Sequence, residues 1–285
     1  MARVAIVTDS TAYLPKEVIA NNPLSVLPLQ CIFGQEIYLD GVDITPNEFY
    51  TRLKTTKVMP TTSQVTPAQF QDTYSQLLNE GYDILSIHIS SKLSGTIDSA
   101  IQARSMFPGA NIEIFDSLST GMGLGFMALT IARAAAQGAS LAECHALAER
   151  AIHHTGVLFL VDTLEFLHRG GRIGGAAAFL GTMLNMKPIL ELRNGKIEAV
   201  ERVRTMGKAV DRLIDLAENR IAKRTPVRLA TLHANSYENA QLLLDRARER
   251  FHVSDVSETI LTEVSPVIGT HTGPGALGLC FMAGM

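Results

Sequence analysis

The sequence predicts an α/β fold in two domains, an N-terminal parallel-sheet α/β/α domain over 1–153 and a C-terminal mixed-sheet α/β domain over 154–285. Three observations carry that prediction. Short runs rich in β-branched residues at 4–8, 84–89 and 112–115 each end in a hydroxyl cluster and lead into a helical pattern, the alternation that βα units produce. From residue 157 onward the pattern turns to paired strands, with Asn194-Gly195 between two apolar runs as a hairpin signal. The length, 285 residues, exceeds the ~100–200 of a typical single domain.

Taken in order, the strand at 4–8 runs into Asp9-Ser10-Thr11, and 24–38 reads as a pair of strands. Helices at 45–54 and 66–79 are opened by Thr45-Pro46 and Thr66-Pro67, because a hydroxyl caps the first free N–H groups and proline is tolerated at the first helical position. The strands 84–89 and 112–115 end at Ser90-Ser91 and Asp116-Ser117. The segment 121–137 is apolar on nearly every face, which marks an interior helix. There follow a helix at 141–153, a strand at 157–161 and the hairpin 188–192 with 196–202. Helix 206–222, strand 227–233, helix 237–250 and strand 256–264 lead to a Gly-rich turn over 270–275 and a short apolar terminus.

Composition excludes several classes. Apolar residues make up 46% and charged residues 19%, so the chain is globular rather than disordered. A net charge of -3 supplies no basic field for nucleic acid. Cys31, Cys144 and Cys280 are odd in number and lack CxxC spacing, which speaks for a reducing cytoplasm and against a zinc site. No apolar run approaches the ~20 residues of a bilayer span, and no secretory signal is expected, so stable membrane insertion is not anticipated.

Catalytic signatures are mostly missing. Neither GxxxxGK[ST] nor GxSxG occurs. Gly121-Met122-Gly123-Leu124-Gly125-Phe126 follows a strand but places Phe126 where a dinucleotide fingerprint needs its last small residue. Its glycines are better read as letting a buried helix approach the sheet. What remains are hydroxyl and glycine clusters expected at strand-to-helix corners: Thr61-Thr62-Ser63-Gln64, Ser94-Gly95-Thr96 and Thr270-His271-Thr272-Gly273-Pro274-Gly275. Ser94, Gly95 and Thr96 precede a helical run, where hydroxyls and free N–H groups favour an anion. His271 can add a ring donor. His153, His154, His168 and His233 lack metal-ligand partners, so no metal site is expected. Met122, Phe126, Met183, Met186 and Met282 sit in apolar segments and are candidates to line a long cavity. A carboxylate head and an alkyl body fit that combination.

The chain resembles the DegV family of bacterial fatty-acid-binding proteins, members of which serve as the lipid-carrying subunit of fatty acid kinase. The resemblance runs over 3–283. It rests on Val7-Thr8-Asp9-Ser10-Thr11, Pro60-Thr61-Thr62-Ser63-Gln64, Ser90-Ser91-Lys92-Leu93-Ser94-Gly95-Thr96 and Leu167-His168-Arg169-Gly170-Gly171-Arg172-Ile173. Lys187-Pro188-Ile189-Leu190, Val203-Arg204-Thr205 and Gly269-Thr270-His271-Thr272-Gly273-Pro274-Gly275 complete it. Lys92 departs from the small residue expected there. The resemblance implies a long-chain fatty acid sealed between the domains, its carboxylate held by Thr62 and Ser94 with His271 nearby, and no cofactor. It also implies an ATP-binding kinase subunit as partner, with this chain the carrier rather than the catalyst. Arg169, Arg172, Arg202 and Arg204, which the turn and hairpin reading exposes, form the expected docking face.

Two other readings remain. One is an acyl-ester or thioester hydrolase using Ser94 as nucleophile and His271 as base, oriented by Asp9 or Asp116. The other is a sugar-phosphate or hydroxyketone enzyme, which would need a polar cavity.

Overall fold

The computed structural model describes residues 3–22, 24–56, 58–181, 186–252 and 254–285. The first half of the chain runs β1 (Arg3–Asp9), α1 (Lys16–Ala20), β2 (Leu24–Leu27), β3 (Gln30–Phe33), β4 (Glu36–Leu39), α2 (Pro46–Thr55) and β5 (Thr61–Ser63). It continues through α3 (Pro67–Asn79), β6 (Tyr82–His88), α4 (Thr96–Arg104), β7 (Ile112–Asp116), α5 (Gly121–Ala136) and α6 (Leu141–His154). Strands β2-β1-β6-β7 form a parallel sheet, and β4-β3-β5 form a separate antiparallel one.

The second half comprises β8 (Thr155–Leu160), α7 (Glu165–Arg169), β9 (Lys187–Arg193), β10 (Lys196–Val203), α8 (Met206–Ile221), β11 (Val227–His233), α9 (Tyr237–Arg250), β12 (Val256–Glu263), α10 (Pro266–Thr272) and β13 (Leu277–Ala283). Its six strands lie in the order β10-β9-β8-β13-β11-β12. Only β11 and β12 run parallel, so the sheet is mixed.

The helix starts follow from the sequence. Thr45 and Thr66 each accept the N–H three residues on, while Glu48 and Gln69 reach back to the threonine N–H, and proline follows the cap in both. Helix α5 is the interior helix expected. A Cβ at Gly123 would stand 2.5 Å from Val157 Cγ2, and one at Gly125 only 2.4 Å from the Ala12 carbonyl oxygen. Those glycines serve close packing between α5 and its neighbours.

Three expectations need correction. The stretch 24–38 holds three strands, not two: β2 joins the parallel sheet beside β1, and the chain then turns at Pro28 into the β3–β4 hairpin. The cluster at 61–64 is not a strand-to-helix corner, because Thr61–Ser63 pairs with β3 as β5. Over 270–275 the expected turn is confined to its second half. Ser265-Pro266 starts α10, which carries Thr270, His271 and Thr272 and stops at Gly273, where φ is +72°.

Helix α10 leaves the second sheet to pack on α2 and β3. Gly269 makes this possible, since a Cβ there would meet Phe49 and Tyr50 at 2.9 and 2.5 Å. The hydrophobic core of the first half accordingly extends into Val157, Leu232, Val264 and Val267 of the second.

Candidate functional site

A narrow cavity lies where the halves meet, with about 980 Å³ of atom-free space in it and at its mouth, of which the centre of a water molecule can reach about 110 Å³. Apolar side chains from many elements wall it: Val157 and Phe159 of β8, Leu192 of β9, Ile197 of β10, Leu232 of β11, Leu277 of β13, and Val267 and Ile268 of α10. Among the described lining residues Arg172 is the single fully charged side chain, and no carboxylate is present.

The polar groups gather from four segments. Thr62 Oγ1 on β5 stands 2.9 Å from His271 Nε2 on α10. Ser94 Oγ lies 2.9 Å from Thr96 Oγ1 and accepts the Thr96 N–H, so its oxygen is fixed at the start of α4. Arg172 donates from Nε to the Leu93 carbonyl at 3.1 Å and from Nη1 to the Gly170 carbonyl at 2.6 Å. A Cβ at Gly95 would fall 2.9 Å from Gln64 Nε2, which shows how closely the end of β5 abuts α4.

Burial lowers the His271 pKa from 6.5 to about 4, and the nearby Arg172 charge acts in the same direction. The ring is therefore neutral at physiological pH. Its Nδ1 has no hydrogen-bond partner and faces Gly170, where a Cβ would approach to 2.1 Å.

The structure thus brings together Thr62, Ser94 and His271, and adds Arg172, Gln64 and Leu93. Gly95 and Thr96 do not line the cavity. Thr96 is fully buried and holds Ser94, while Gly95 lets Gln64 approach. The methionine lining is corrected. Met122, Phe126 and Met282 are fully buried and absent from the cavity wall, because they fill the core around α5. Met122 occupies the space Gly125 leaves, and Phe126 carries the Arg228 guanidinium 4.5 Å above its ring. Met186 is half-buried away from the cavity, and Met183 lies outside the described residues. Branched aliphatics perform the role assigned to methionine.

Arg172 is likewise not on an open face: it is half-buried, tied to two carbonyls and turned to the cavity. Arg169, Arg202 and Arg204 are exposed as expected. Arg169 pairs with Glu165 at 2.7 Å, and Arg202 lies over the Phe179 ring at 5.1 Å.

The carboxylates assigned to orient His271 are engaged elsewhere. Asp9 is fully buried and accepts from His88 Nδ1 at 3.0 Å, the Ile89 N–H at 2.9 Å, and Thr11 through both N–H and hydroxyl. Asp116 accepts the N–H groups of Ser91 and Leu118. Sequence reasoning missed His88, whose Nε2 is 2.6 Å from Ser86 Oγ, which itself accepts from the Tyr74 hydroxyl. This serine–histidine–aspartate chain has no exposed atom to offer a substrate and instead pins the loops after β1 and β6.

Among the described residues no helix is long and apolar enough to cross a membrane, and no group of three His, Cys, Asp or Glu side chains could hold a metal ion.

Residues 3–284 match the family described as "Uncharacterised protein, DegV family". A DegV domain-containing protein of Streptomyces coelicolor is 40% identical over 277 residues, 97% of each chain. Protein DegV of Bacillus subtilis is 37% identical over 281 residues, 98% of each. Among solved structures, the fatty acid binding DegV family protein of Thermus thermophilus superimposes with a TM-score of 0.92 at 37% identity, covering 99% of both chains. The Bacillus subtilis DegV structure, described as a fatty acid binding protein, gives 0.89 at 36% identity, covering 99% of this chain and all of that one.

Proposed function

The chain belongs to the DegV family, and from that premise we propose that it binds one long-chain fatty acid in the cavity between residues 1–153 and 154–285. Thr62, Ser94 and Arg172 meet the carboxylate, with His271 behind Thr62 setting its hydroxyl, and the apolar wall takes the alkyl chain. The observation that carries this reading is the lining itself, apolar on almost every side, with its hydroxyls and imidazole clustered and, among the described lining residues, one cation and no carboxylate to repel an acid. The fatty acid binding relatives of Thermus thermophilus and Bacillus subtilis support it.

The energetics agree. At ~0.8 kcal/mol per CH₂, burying about fifteen methylenes yields on the order of 10 kcal/mol before ordering costs. Head-group contacts then set orientation and depth. Neutral His271 leaves Arg172 as the counter-charge, so an ionised acid enters without adding a second unpaired charge.

The reading extends to presentation of the acid to a separate ATP-binding kinase subunit for conversion to the acyl phosphate, with Arg169, Arg202 and Arg204 as the docking face. In this reading the partner brings the nucleotide, in keeping with the lack of a GxxxxGK[ST] phosphate loop in this chain.

Denaturing the purified protein and analysing the released molecules by mass spectrometry tests the binding reading, with close to one C14–C20 acid per chain as the expected result. Absence of such an acid, together with no uptake of added oleate or palmitate, overturns it. Acyl phosphate formation in a reconstituted kinase assay tests the presentation step: an Arg202→Ala, Arg204→Ala double variant should form less product while binding the acid as before.

A further inference from the structure

Gly278 stands inside β13, in the middle of the six-stranded sheet, and lines the cavity. A glycine within a strand weakens it: the unfolded chain has more freedom to lose, and no side chain packs on the neighbouring strands. The fold itself does not require one at this position. Gly278 is not in the left-handed region of φ that favours glycine. A Cβ there would meet the Leu158 carbonyl oxygen and Leu232 Cβ and Cδ1 at 3.5 Å, ordinary contact distances, with nothing nearer. Gly156 in the adjacent β8 is the contrasting case, since a Cβ there would stand 2.3 Å from Phe281 Cζ and packing excludes it.

The register shows what the missing side chain opens. Gly278 is paired with Phe159 of β8 on one side and with Leu232 of β11 on the other. Residues opposite one another on adjacent strands project to the same face of a sheet. All three line the cavity, so the row presents two large side chains with a gap between them. A strand interior that gives up a side chain without a backbone or packing cause is a place where another group approaches closely.

We propose that Gly278 is a specificity-determining residue of the cavity: its absent side chain makes the room in which the inner part of a long acyl chain lies between Phe159 and Leu232. The proposal rests on the fatty-acid reading. It concerns the alkyl chain and not the carboxylate, because the head-group residues sit by the β10 edge of the sheet. Ser90, four residues before Ser94, donates to the Gly195 carbonyl just ahead of β10, and Gly174, two residues after Arg172, packs against the Ile197 carbonyl. Strand β13 is three strands further in, roughly 14 Å at ~4.8 Å per strand. A sixteen-carbon acid reaches that far; a ten-carbon acid ends before it.

The test is Gly278→Ala, compared with the unaltered protein in thermal melts and in equilibrium dialysis with radiolabelled palmitate and decanoate after the resident lipid has been exchanged onto a hydrophobic resin. The variant should melt at the same or a higher temperature, because alanine suits the strand and meets no clash. It should nevertheless bind palmitate about tenfold more weakly, the cost of a methyl group placed in filled space, while decanoate binding stays within about twofold. Gly278→Val should lose more palmitate affinity than Gly278→Ala. Stability and long-chain affinity moving in opposite directions is a result that a purely structural glycine does not give. A lower melting temperature for Gly278→Ala, unchanged palmitate binding, or equal losses for the two acids overturns the proposal. Failure of the unaltered protein to take up palmitate overturns the fatty-acid reading with it.

Discussion

Thr62 and His271 are separated by 209 positions in sequence and joined by a 2.9 Å contact between Oγ1 and Nε2. His271 Nδ1 is buried without a partner, so a proton there would be a stranded donor, whereas a lone pair is the lesser loss. The neutral ring is accordingly protonated on Nε2 and donates to Thr62, which frees the threonine O–H for a ligand's carboxylate.

Thr62→Val tests that assignment, because it keeps the side chain's shape and deletes the donor. Loss of a hydrogen bond to a charged group, about 1.5–3 kcal/mol, should weaken fatty acid binding by roughly ten- to a hundredfold. Titration of the methyl ester should show a smaller loss. Equal losses for acid and ester would remove Thr62 from the head-group site.

Stability against pH should expose two opposed titrations. The folded pKa of His271, about 4, lies below its ordinary 6.5, so its contribution is full above 6.5 and is lost as pH falls to 4. The folded pKa of Asp40, about 6, lies above its ordinary 3.8, so its contribution is present at low pH and lost as pH rises through 6. Each shift corresponds to about 3 kcal/mol. In thermal melts from pH 7 to 4 the two largely offset one another. His271→Asn should melt at relatively higher temperature as pH falls, and Asp40→Asn at lower; parallel profiles in both variants would refute the pairing.

Gly195→Ala should destabilise the hairpin tip. Ser90 Oγ donates to the Gly195 carbonyl at 2.9 Å across the two halves, while a Cβ at Gly195 would lie 2.4 Å from that same oxygen. The φ of +79° adds strain for any L side chain. Urea unfolding should report a loss of about 1–3 kcal/mol.

Arg172→Ala should lower fatty acid affinity, since it removes the cavity's cation and the tie to Leu93. It should also raise the His271 pKa, observable by NMR titration of the ring. Arg204→Ala, on the exposed surface, should leave both unchanged.

The elements were largely legible because their signals are local: Thr45-Pro46 and Thr66-Pro67 start helices through their own side chains. Ser94 and Thr62, the candidate head-group residues, were legible because they stood in hydroxyl clusters. Arg172 was misread because a Gly-flanked arginine looks like a surface turn until Leu93 and Gly170 supply its acceptors from other segments. Methionine content misled for a similar reason. Nothing in the apolar run containing Met122 says which face meets the core and which a cavity, a matter decided by Gly125 and the sheet it approaches.

Strand β13 closes the described chain yet lies between β8 and β11, in the middle of its sheet. During synthesis the ribosome delivers β8 through β12 before the strand that joins them, so β8 and β11 emerge with bare edges and only a late, non-local pairing unites them. The nascent protein is therefore most exposed to edge-to-edge aggregation until β13 has been made, and termination upstream of Leu277 would leave those edges open.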